Sequence, residues 1–278
     1  MTTVISTLIK DIYDLAEGKR LPSVGNISPI TTTYDRWFDE RGSRKDKTLH
    51  FSEIGTPCLR KLWYNVNSPT SAEAIDGNTR IKFLYGDMLE GLVLSLAKAA
   101  GHTVEDEQRK VYIHRDDGWT ISGRIDAIID GHLVDVKSTT KFGVRKFEEG
   151  LKDDPFGYAA QLAGYGVGTD MDDLGFLTIQ KELGHLAYFP LKKVETEKMV
   201  FRARCDSAVD AVTSKLDDLP RLDAVPQSAT SKNTKLCTTC GYCPYRKACY
   251  PEARTFLYSN GPEFLVDVKV LPKVPEVI

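Results

Sequence analysis

Several features that would assign a protein class at once are missing from this 278-residue sequence. It has no excess of basic residues, because 37 Lys and Arg stand against 39 Asp and Glu and the formal net charge is −2. A uniformly basic coat for nucleic acid is therefore excluded, and any such contact must come from a local groove that concentrates Lys and Arg. The sequence also has no G-x-x-x-x-G-K-S/T run, so we expect no ATP-driven motor in this chain.

Long apolar segments are missing as well. No stretch approaches the roughly 18 uninterrupted apolar residues of a membrane-spanning helix, and the opening MTTVIS lacks the basic start and apolar core of a secretory signal. We therefore expect a soluble, cytoplasmic protein with no membrane partner. In that compartment the six cysteines indicate metal or cluster ligation rather than disulfides.

The apolar residues that are present make up 41% of the chain and follow helical or strand spacing. Helical spacing predicts helices over residues 4–17, 51–66, 79–100, 141–150, 155–167 and 194–219. Alternation predicts strands over residues 102–114, 120–129, 132–138, 174–180 and 185–190. This order predicts an α/β fold with a central mixed sheet flanked by helices. We expect an N-terminal helical segment (1–78), an α/β core (79–219), and a linker, Cys-rich module and extended tail (220–278).

Acidic residues and a lysine are expected to meet at one hairpin. Asp130-Gly131 separates two alternating runs, which is a strong hairpin signal. Asp135 and Lys137 are alternate residues of the second strand and face the same side, and the first strand can bring Asp126 beside them. Burying these charges together is costly unless a divalent cation neutralises the acids. Carboxylate oxygens suit Mg²⁺ or Mn²⁺.

Such a group suits phosphodiester hydrolysis. A divalent ion polarises the phosphate and lowers the pKa of a bound water. Lys137 can orient or deprotonate that water, or stabilise the developing negative charge. Glu90, on the preceding predicted helix, is the candidate for a further acid. Asp-x-Lys alone occurs by chance in charged strands, but Gly123-x-x-Asp126, a hairpin turn and Asp-x-Lys lie together within fifteen residues here.

The order of these motifs resembles that of the PD-(D/E)XK nuclease superfamily, and its last element resembles the RecB-like branch. The chain has, in sequence, Gly86-x-x-x-Glu90, Gly123-x-x-Asp126, Asp135-x-Lys137 and Gln161-x-x-x-Tyr165. The resemblance covers roughly residues 50–250 and implies the nuclease core of that family. It implies that Lys137 is the catalytic lysine and that the metal ligands are Glu90, Asp126, Asp135 and the Val136 backbone carbonyl.

The same resemblance implies that Gln161 and Tyr165, one helical turn apart on one face, line the site and contact DNA. Two positions depart from the family pattern. The family commonly has His where this chain has Glu90, and often Glu where it has Asp135. Both residues still offer oxygen ligands, so the departures bear on metal preference rather than on activity.

Cysteines form a second constellation. The segment Cys237-x2-Cys240-x2-Cys243-x5-Cys249 is dense, and Cys58 stands far upstream in FSEIGTPCLRKLWY. That upstream run resembles the segment around the first cluster cysteine of RecB-like and CRISPR-associated exonucleases, which pair it with a C-terminal Cys-x2-Cys-x5-Cys. The resemblance implies a [4Fe–4S] cluster held by Cys58, Cys240, Cys243 and Cys249. Such a cluster would staple the N-terminal helices and the C-terminal tail over the nuclease core.

Cys237 is an extra cysteine in this scheme, either a free thiol beside the cluster or a replacement for one assigned ligand. Zinc is the alternative metal, held by Cys237, Cys240, Cys243 and Cys249, with Cys58 as an ordinary buried residue. The matching motif around Cys58 favours the cluster. Cys205 lies on a predicted long helix and is assigned to packing.

Basic residues near these motifs are candidate DNA contacts, namely Arg60, Lys61, Lys141, Arg145 and Lys146. For the first two, a solvated helix face explains the pattern equally well. The other three are interleaved with aromatic residues, as single-strand binding requires, although an amphipathic helix has the same pattern.

We therefore expect an Mg²⁺- or Mn²⁺-dependent exonuclease that acts on DNA ends, with single strands as the expected substrate. The resemblance implies a role in CRISPR adaptation, recombination repair or phage DNA metabolism, alone or within a larger recombination or CRISPR adaptation complex. The main alternative is a module that binds DNA ends or a partner protein, with a zinc-bound Cys site and weak or no catalysis. A sequence-specific endonuclease on the same core is less favoured, because the Gln161/Tyr165 element belongs to the RecB-like branch.

Overall fold

The computed structural model describes residues 4–21, 45–74 and 77–277. Parts of the expected N-terminal segment, at 1–3, 22–44 and 75–76, lie outside the described residues. Contacts divide the chain into two compact units, Met1–Gly55 with Gly77–Arg204, and Thr56–Asp76 with Cys205–Ile278. Each unit is discontinuous in sequence, whereas the three segments expected from composition are consecutive. The composition of a segment carries no information about which distant segments pack against it.

The helices and strands follow one another as in an α/β protein. The helices are α1 (Leu8–Ala16), α2 (Phe51–Ile54), α3 (Leu59–Asn67), α4 (Gly77–Ala99), α5 (Lys141–Glu148), α6 (Tyr158–Thr169), α7 (Val194–Thr213), α8 (Thr238–Gly241) and α9 (Arg246–Cys249). The strands are β1 (Thr48–His50), β2 (Val104–Glu105), β3 (Lys110–His114), β4 (Thr120–Arg124), β5 (Ala127–Ile129), β6 (His132–Thr139), β7 (Leu174–Gln180), β8 (His185–Pro190), β9 (Val225–Pro226), β10 (Thr234–Lys235), β11 (Arg254–Tyr258), β12 (Gly261–Asp267) and β13 (Glu276–Val277).

The first unit contains a mixed sheet with the strand order β2-β5-β6-β7-β8. Strands β6 and β7 run parallel, and the other neighbours are antiparallel. A smaller sheet in the same unit has the order β1-β4-β3. The mixed sheet, with helices before, between and after its strands, confirms the expected fold class. No helix in the described ranges is long and apolar enough to cross a membrane.

One face of the mixed sheet forms the main hydrophobic core. Val134 and Val136 of β6 pack there with Leu177 of β7 against α1 and α4. Side chains alternate along a strand, so Asp135 and Lys137 of β6 belong to the opposite face. The core therefore fixes β6 by one side and leaves its charged residues on the other.

The hairpin at Asp130-Gly131 is confirmed. Asp130 and Gly131 both adopt positive φ, at 48° and 83°, and join antiparallel strands β5 and β6. The run before the turn differs from the prediction, because it is two strands rather than one. β4 pairs with β1 and β3, while β5 pairs with β2 and β6. Asp126 lies in the link between β4 and β5, so its expected place on the first hairpin strand is wrong.

The helix expected over residues 51–66 is broken into α2 and α3. Pro57 lies in the break, and a proline disfavours helical geometry in the residue before it. The break makes Cys58 the N-cap residue of α3, with extended backbone angles. The cysteine thus lies at the start of a helix and not within one.

The C-terminal tail, expected to be extended, contributes two strands to a sheet. The second unit contains five strands in the order β13-β11-β12-β10-β9. β11 and β12 form an antiparallel hairpin in which Tyr258 pairs with Gly261. Asn260-Gly261 is a hairpin signal that the sequence analysis did not use. Part of the expected linker, at Val225–Pro226, also joins this sheet.

A buried histidine ties three segments of the first unit together. His102 Nδ1 lies 2.6 Å from Asp130 Oδ2, and His102 Nε2 lies 3.2 Å from Asp11 Oδ2. Arg20 Nη1 approaches the other oxygen of Asp11 at 2.7 Å. This network connects α1 and the end of α4 to the β5–β6 turn.

Replacing His102 with Ala should lower the free energy of unfolding by about 1–3 kcal/mol, because two half-buried carboxylates lose their buried partner. The matched control is His114→Ala, since His114 is exposed on β3 and its loss should cost no more than about 0.5 kcal/mol. Denaturant unfolding followed by circular dichroism measures both. Equal losses in the two variants would contradict a structural role for the network.

Candidate functional site

Two carboxylates and a lysine meet on the face of β6 opposite Val134 and Val136. Asp126 Oδ2 accepts a hydrogen bond of 2.7 Å from the backbone N–H of Val136. Lys137 Nζ lies 2.5 Å from Asp135 Oδ2. Asp135 is 3% exposed. The link between β4 and β5 thus places Asp126 against the middle of β6, where Asp135 and Lys137 flank Val136.

The charges around Lys137 hold it in its protonated form. Burial alone would lower the pKa of Lys137, but the negative charges of Asp135 and Asp126 outweigh burial and raise it above its ordinary value. The ammonium also lies 5.1 Å from the centre of the Tyr158 ring, a cation–π contact. Lys137 is therefore a positively charged hydrogen-bond donor at neutral pH.

Negative charge is in excess at this point. Burial raises the pKa of Asp126 well above its usual range, and the charges of Glu90 and Asp135 raise it further. Lys137 and the Val136 N–H offset this only in part. Asp135 Oδ2 is buried and has the Lys137 ion pair but no well-directed hydrogen bond. A buried, under-neutralised pair of carboxylates fits a divalent cation with oxygen ligands.

The ligand positions are not all directed at one point. Glu90 Oε1 accepts a hydrogen bond of 2.6 Å from Gln108 Nε2. Across the described ranges, no three His, Cys, Asp or Glu side chains are arranged as a metal-holding group. Glu90 is near enough for its charge to act on Asp126, but its expected ligation, and that of the Val136 carbonyl, stay predictions.

Tyr165 and Gln161 lie beside this acidic group on α6. Gln161 Nε2 donates to the Tyr165 hydroxyl over 3.4 Å, a long hydrogen bond. Burial, aided by the charges of Asp135 and Asp126, raises the pKa of Tyr165 above its ordinary value. Gly123 permits this packing, because a Cβ at that position would lie 3.0 Å from the Tyr165 hydroxyl oxygen and 2.7 Å from Phe51 Cδ2.

Two residues of this neighbourhood were missed by the sequence analysis. Tyr158 precedes Gln161 by three residues, and helical spacing could have placed it on the same face of α6. Gln108 lies between β2 and β3 with a φ of 58°, and no sequence pattern identifies it as the partner of Glu90.

The cysteines meet in the second unit. A small cavity is lined by Cys58, Cys240, Cys243 and Cys249. Tyr64 and Tyr245 also line this cavity, and their rings stack with centroids 5.1 Å apart. Burial raises the pKa of the Cys58 thiol, and the neighbouring Cys249 adds to this effect. We call this the cysteine cavity.

Cys237 and Cys205 are not among the residues that line the cysteine cavity. Cys237 instead contacts Cys240, and after burial it is the strongest influence that raises the Cys240 pKa. All six cysteines are free thiols. The expected ligation of an iron–sulfur cluster or of zinc by these cysteines stays a prediction.

Arg60 is a correction among the expected DNA contacts. Its side chain is buried, and Nη1 donates to the backbone oxygens of Leu216 and Leu219 at 3.1 and 2.8 Å. Arg60 therefore anchors the chain around residues 216–219 rather than facing a phosphate, and the solvated-face alternative is wrong as well. Lys61 is half-buried and lines the cysteine cavity.

The other three basic candidates lie on α5, which follows β6 in the chain. Lys141 and Arg145 are exposed and line an open cavity together with Gln180 and His185. Lys146 is half-buried and pairs with Asp153 at 2.7 Å. Lys141 and Arg145 therefore keep their charges available for a ligand, and Lys146 has an acidic partner.

Comparisons with known proteins identify the fold. The profile of the PD-(D/E)XK nuclease superfamily matches residues 39–250. The chain therefore belongs to the PD-(D/E)XK nuclease superfamily, as the motif order predicts. Nucleases of this superfamily use divalent metal ions such as Mg²⁺ or Mn²⁺.

Two solved structures are similar to this chain at low identity, and the first of them shares its fold. SSO0001 is 15% identical, with a TM-score of 0.50 over 81% of this chain and 96% of that one. An alkaline exonuclease (LHK-Exo) from Laribacter hongkongensis is 12% identical, with a TM-score of 0.31 over 63% of this chain and 94% of that one. No curated protein matches this chain.

Replacing Asp126 with Asn should stabilise the protein in a chelating buffer. A raised carboxyl pKa means that folding favours the protonated form, so the ionised side chain destabilises the fold as the pH rises to neutral. Asn keeps an oxygen that can accept from the Val136 N–H, and the expected gain is about 0.5–2 kcal/mol.

Thermal unfolding at neutral pH measures this gain, with the exposed Asp116→Asn as the matched carboxylate control. Mn²⁺ should raise the unfolding temperature of the unaltered protein but not that of Asp126→Asn, since binding to the folded state stabilises it. A loss of stability in Asp126→Asn without metal would contradict the excess of negative charge.

Proposed function

We propose that this chain is a metal-dependent deoxyribonuclease that hydrolyses DNA from its ends. The observation that carries the proposal is the buried group on β6, in which Asp126, Asp135 and Lys137 lie within hydrogen-bond or ion-pair distance of one strand segment. An under-neutralised pair of carboxylates beside a protonated lysine has a clear use in phosphoryl chemistry. In a purely structural core, the same pair of carboxylates would only cost stability.

The metal ion, Mg²⁺ or Mn²⁺, would be held by Glu90, Asp126, Asp135 and the Val136 carbonyl. When bound, it polarises a phosphate and lowers the pKa of a water ligand. Glu90 can keep its hydrogen bond from Gln108 at Oε1 and still offer a lone pair to the ion. The charge of the four-residue group makes it a good oxygen donor set for a hard cation.

Lys137 would act as a donor rather than as a base. The acids beside it keep its ammonium protonated, so it can orient the attacking water and stabilise the charge that develops on the phosphate oxygens. The Gln161 amide and the Tyr165 hydroxyl offer further donors along the same face of α6. Lys141 and Arg145 of α5 would hold the flanking phosphates of the DNA.

The preference for DNA ends, and for single strands, follows from the RecB-like Gln161-x-x-x-Tyr165 element. The same likeness supports work in CRISPR adaptation, recombination repair or phage DNA metabolism, alone or in a larger complex. Exposed aromatic and basic residues on α5 suit a flexible single strand better than a rigid duplex.

Lys137→Ala should lower the cleavage rate roughly 100- to 10,000-fold while DNA binding changes little, because the ammonium acts mainly on the transition state. End-labelled single-stranded DNA, digested with Mg²⁺ or Mn²⁺, measures the rate, and a chelator should abolish cleavage. Lys10→Ala is the control, since Lys10 is exposed on α1 beside the opposite face of the sheet. Cleavage by the unaltered protein that survives chelation would refute the metal mechanism. If the unaltered protein binds DNA but does not cleave it, the result would favour a binding module.

We further propose that the cysteine cavity holds a [4Fe–4S] cluster. The support is that Cys58, from a distant part of the sequence, lines the cavity with Cys240, Cys243 and Cys249, while Cys237 does not. A zinc site built only from the C-terminal segment would instead need Cys237 as its fourth ligand. The cluster would tie α3 to the Cys-rich segment inside the second unit.

Anaerobic purification should give a coloured protein with about four iron atoms per chain. Cys58→Ser should lose most of the iron and the visible absorption, whereas Cys237→Ser should keep both, because only the first removes a cavity ligand. Iron analysis and visible spectra measure this, with Cys205→Ser as a further control. A colourless protein that contains zinc would refute the cluster. Loss of that zinc in Cys237→Ser but not in Cys58→Ser would support the zinc site instead.

A further inference from the structure

The first turns of α4 expose an aromatic residue beside the candidate active site. Further along the helix, Val93 and Ala97 are fully buried in the main core. Before Gly86, by contrast, Phe83 is 51% exposed. A Cβ at Gly86 would lie 3.6 Å from the hydroxyl oxygen of Ser138, the residue after Lys137. The exposed first turns of α4 therefore end at Gly86, where the helix passes Ser138 of β6.

Helical spacing places Phe83 on the same face as Glu90. The two residues are seven positions apart, which corresponds to two turns and about 10 Å along the axis. The same stripe continues through Val93 and Ala97, both buried in the core. Glu90 lies close enough to Asp126 for its charge to raise the pKa of that carboxyl. Phe83 thus lies on the side of α4 that carries Glu90, about two turns before it.

Two cations flank this aromatic ring. Arg80 and Lys82 are exposed, and in the part of the chain that the structure describes neither has an ion-pair partner. An exposed aromatic ring between basic residues is the usual arrangement for single-stranded nucleic acid, where bases stack on the ring and phosphates meet the cations. A duplex cannot use such a ring, because its base faces are covered by neighbouring pairs.

We propose that Phe83 stacks on a base of single-stranded DNA near the phosphate held at Lys137, with Arg80 and Lys82 at the adjoining phosphates. This assignment rests on the proposed nuclease function and adds to it a strand preference with a physical origin. The surface occupied is continuous with the candidate active site, through Gly86 and Ser138. Its positive charge is complementary to DNA, whereas the neighbouring catalytic group is acidic.

The helix supplies its own control. Tyr85 is a similar exposed aromatic residue, at 60%, but it lies two positions later and therefore about 200° around the helix from Phe83. Phe83→Ala should weaken binding of a fluorescent oligo(dT) about 5- to 150-fold. Tyr85→Ala should leave it unchanged, and neither should alter binding of a blunt duplex of the same length. Anisotropy titrations of the full chain in chelating buffer measure binding without cleavage.

The cations have a separate signature. Arg80→Ala and Lys82→Ala should each reduce the slope of log K against log salt concentration for oligo(dT) by about 0.7, the value for one single-strand phosphate contact. Lys10→Ala should leave the slope unchanged. Unfolding temperatures of all variants are measured alongside, because exposed positions should tolerate substitution.

Three outcomes would overturn the assignment. Equal weakening of oligo(dT) binding in Phe83→Ala and Tyr85→Ala would contradict it. So would a loss of duplex binding in Phe83→Ala as large as its loss of single-strand binding. A Phe83→Ala variant that loses thermal stability but binds oligo(dT) normally would show that protein, such as a second copy of the chain, covers this face. If the unaltered protein cleaves DNA and Phe83→Ala binds oligo(dT) as tightly as the unaltered protein, only the stacking proposal is refuted. If the unaltered protein neither binds nor cleaves DNA, the nuclease function fails too.

Discussion

The burial of like charges on one face of β6 is the constraint around which the first unit is built. Asp135 lies close enough to Asp126 to disfavour ionisation of that carboxyl, and Lys137 offsets only part of the cost. Such a group persists only where the surrounding fold over-determines it. The opposite face of the strand provides that support, because Val134 and Val136 pack into the main core and fix the backbone from which the charges project.

The two units differ in the kind of core that stabilises them. The first relies on an apolar core between a mixed sheet and α1 and α4. The apolar cluster of the second unit includes cysteines and tyrosines around the cysteine cavity, such as Tyr64, Tyr245 and Cys249. Thiols in such a place pack as small apolar groups, and the proposed cluster would in addition use four of them as ligands. A bound cluster would then supply stability that the small apolar core lacks.

Much of this was predictable from local pattern. Asp130-Gly131 requires positive φ at both positions, so the sequence alone specifies the hairpin that carries Asp135. The strand break before Asp126 was not predictable, because it depends on β4 leaving to pair with β1, whose sequence lies far upstream. Arg60 shows the same limit. Its position after Cys58 suggested a phosphate contact, yet distant backbone oxygens near residue 219 decide its role.

Some motif residues are explained by local backbone geometry and others only by tertiary packing. Gly123 is required by contact, since Phe51 and Tyr165 leave no room for a Cβ, and no turn or helix cap explains it. Asp126 needs that close packing, because Gly123 lies at the end of β4 just before the link that directs the carboxylate to the Val136 amide. A spacing of three residues between a glycine and an acid therefore encodes one tertiary arrangement, a strand packed tightly against an aromatic pair and then turned towards β6. Similar spacing elsewhere in a sequence would lack the aromatic partners and would carry no such meaning.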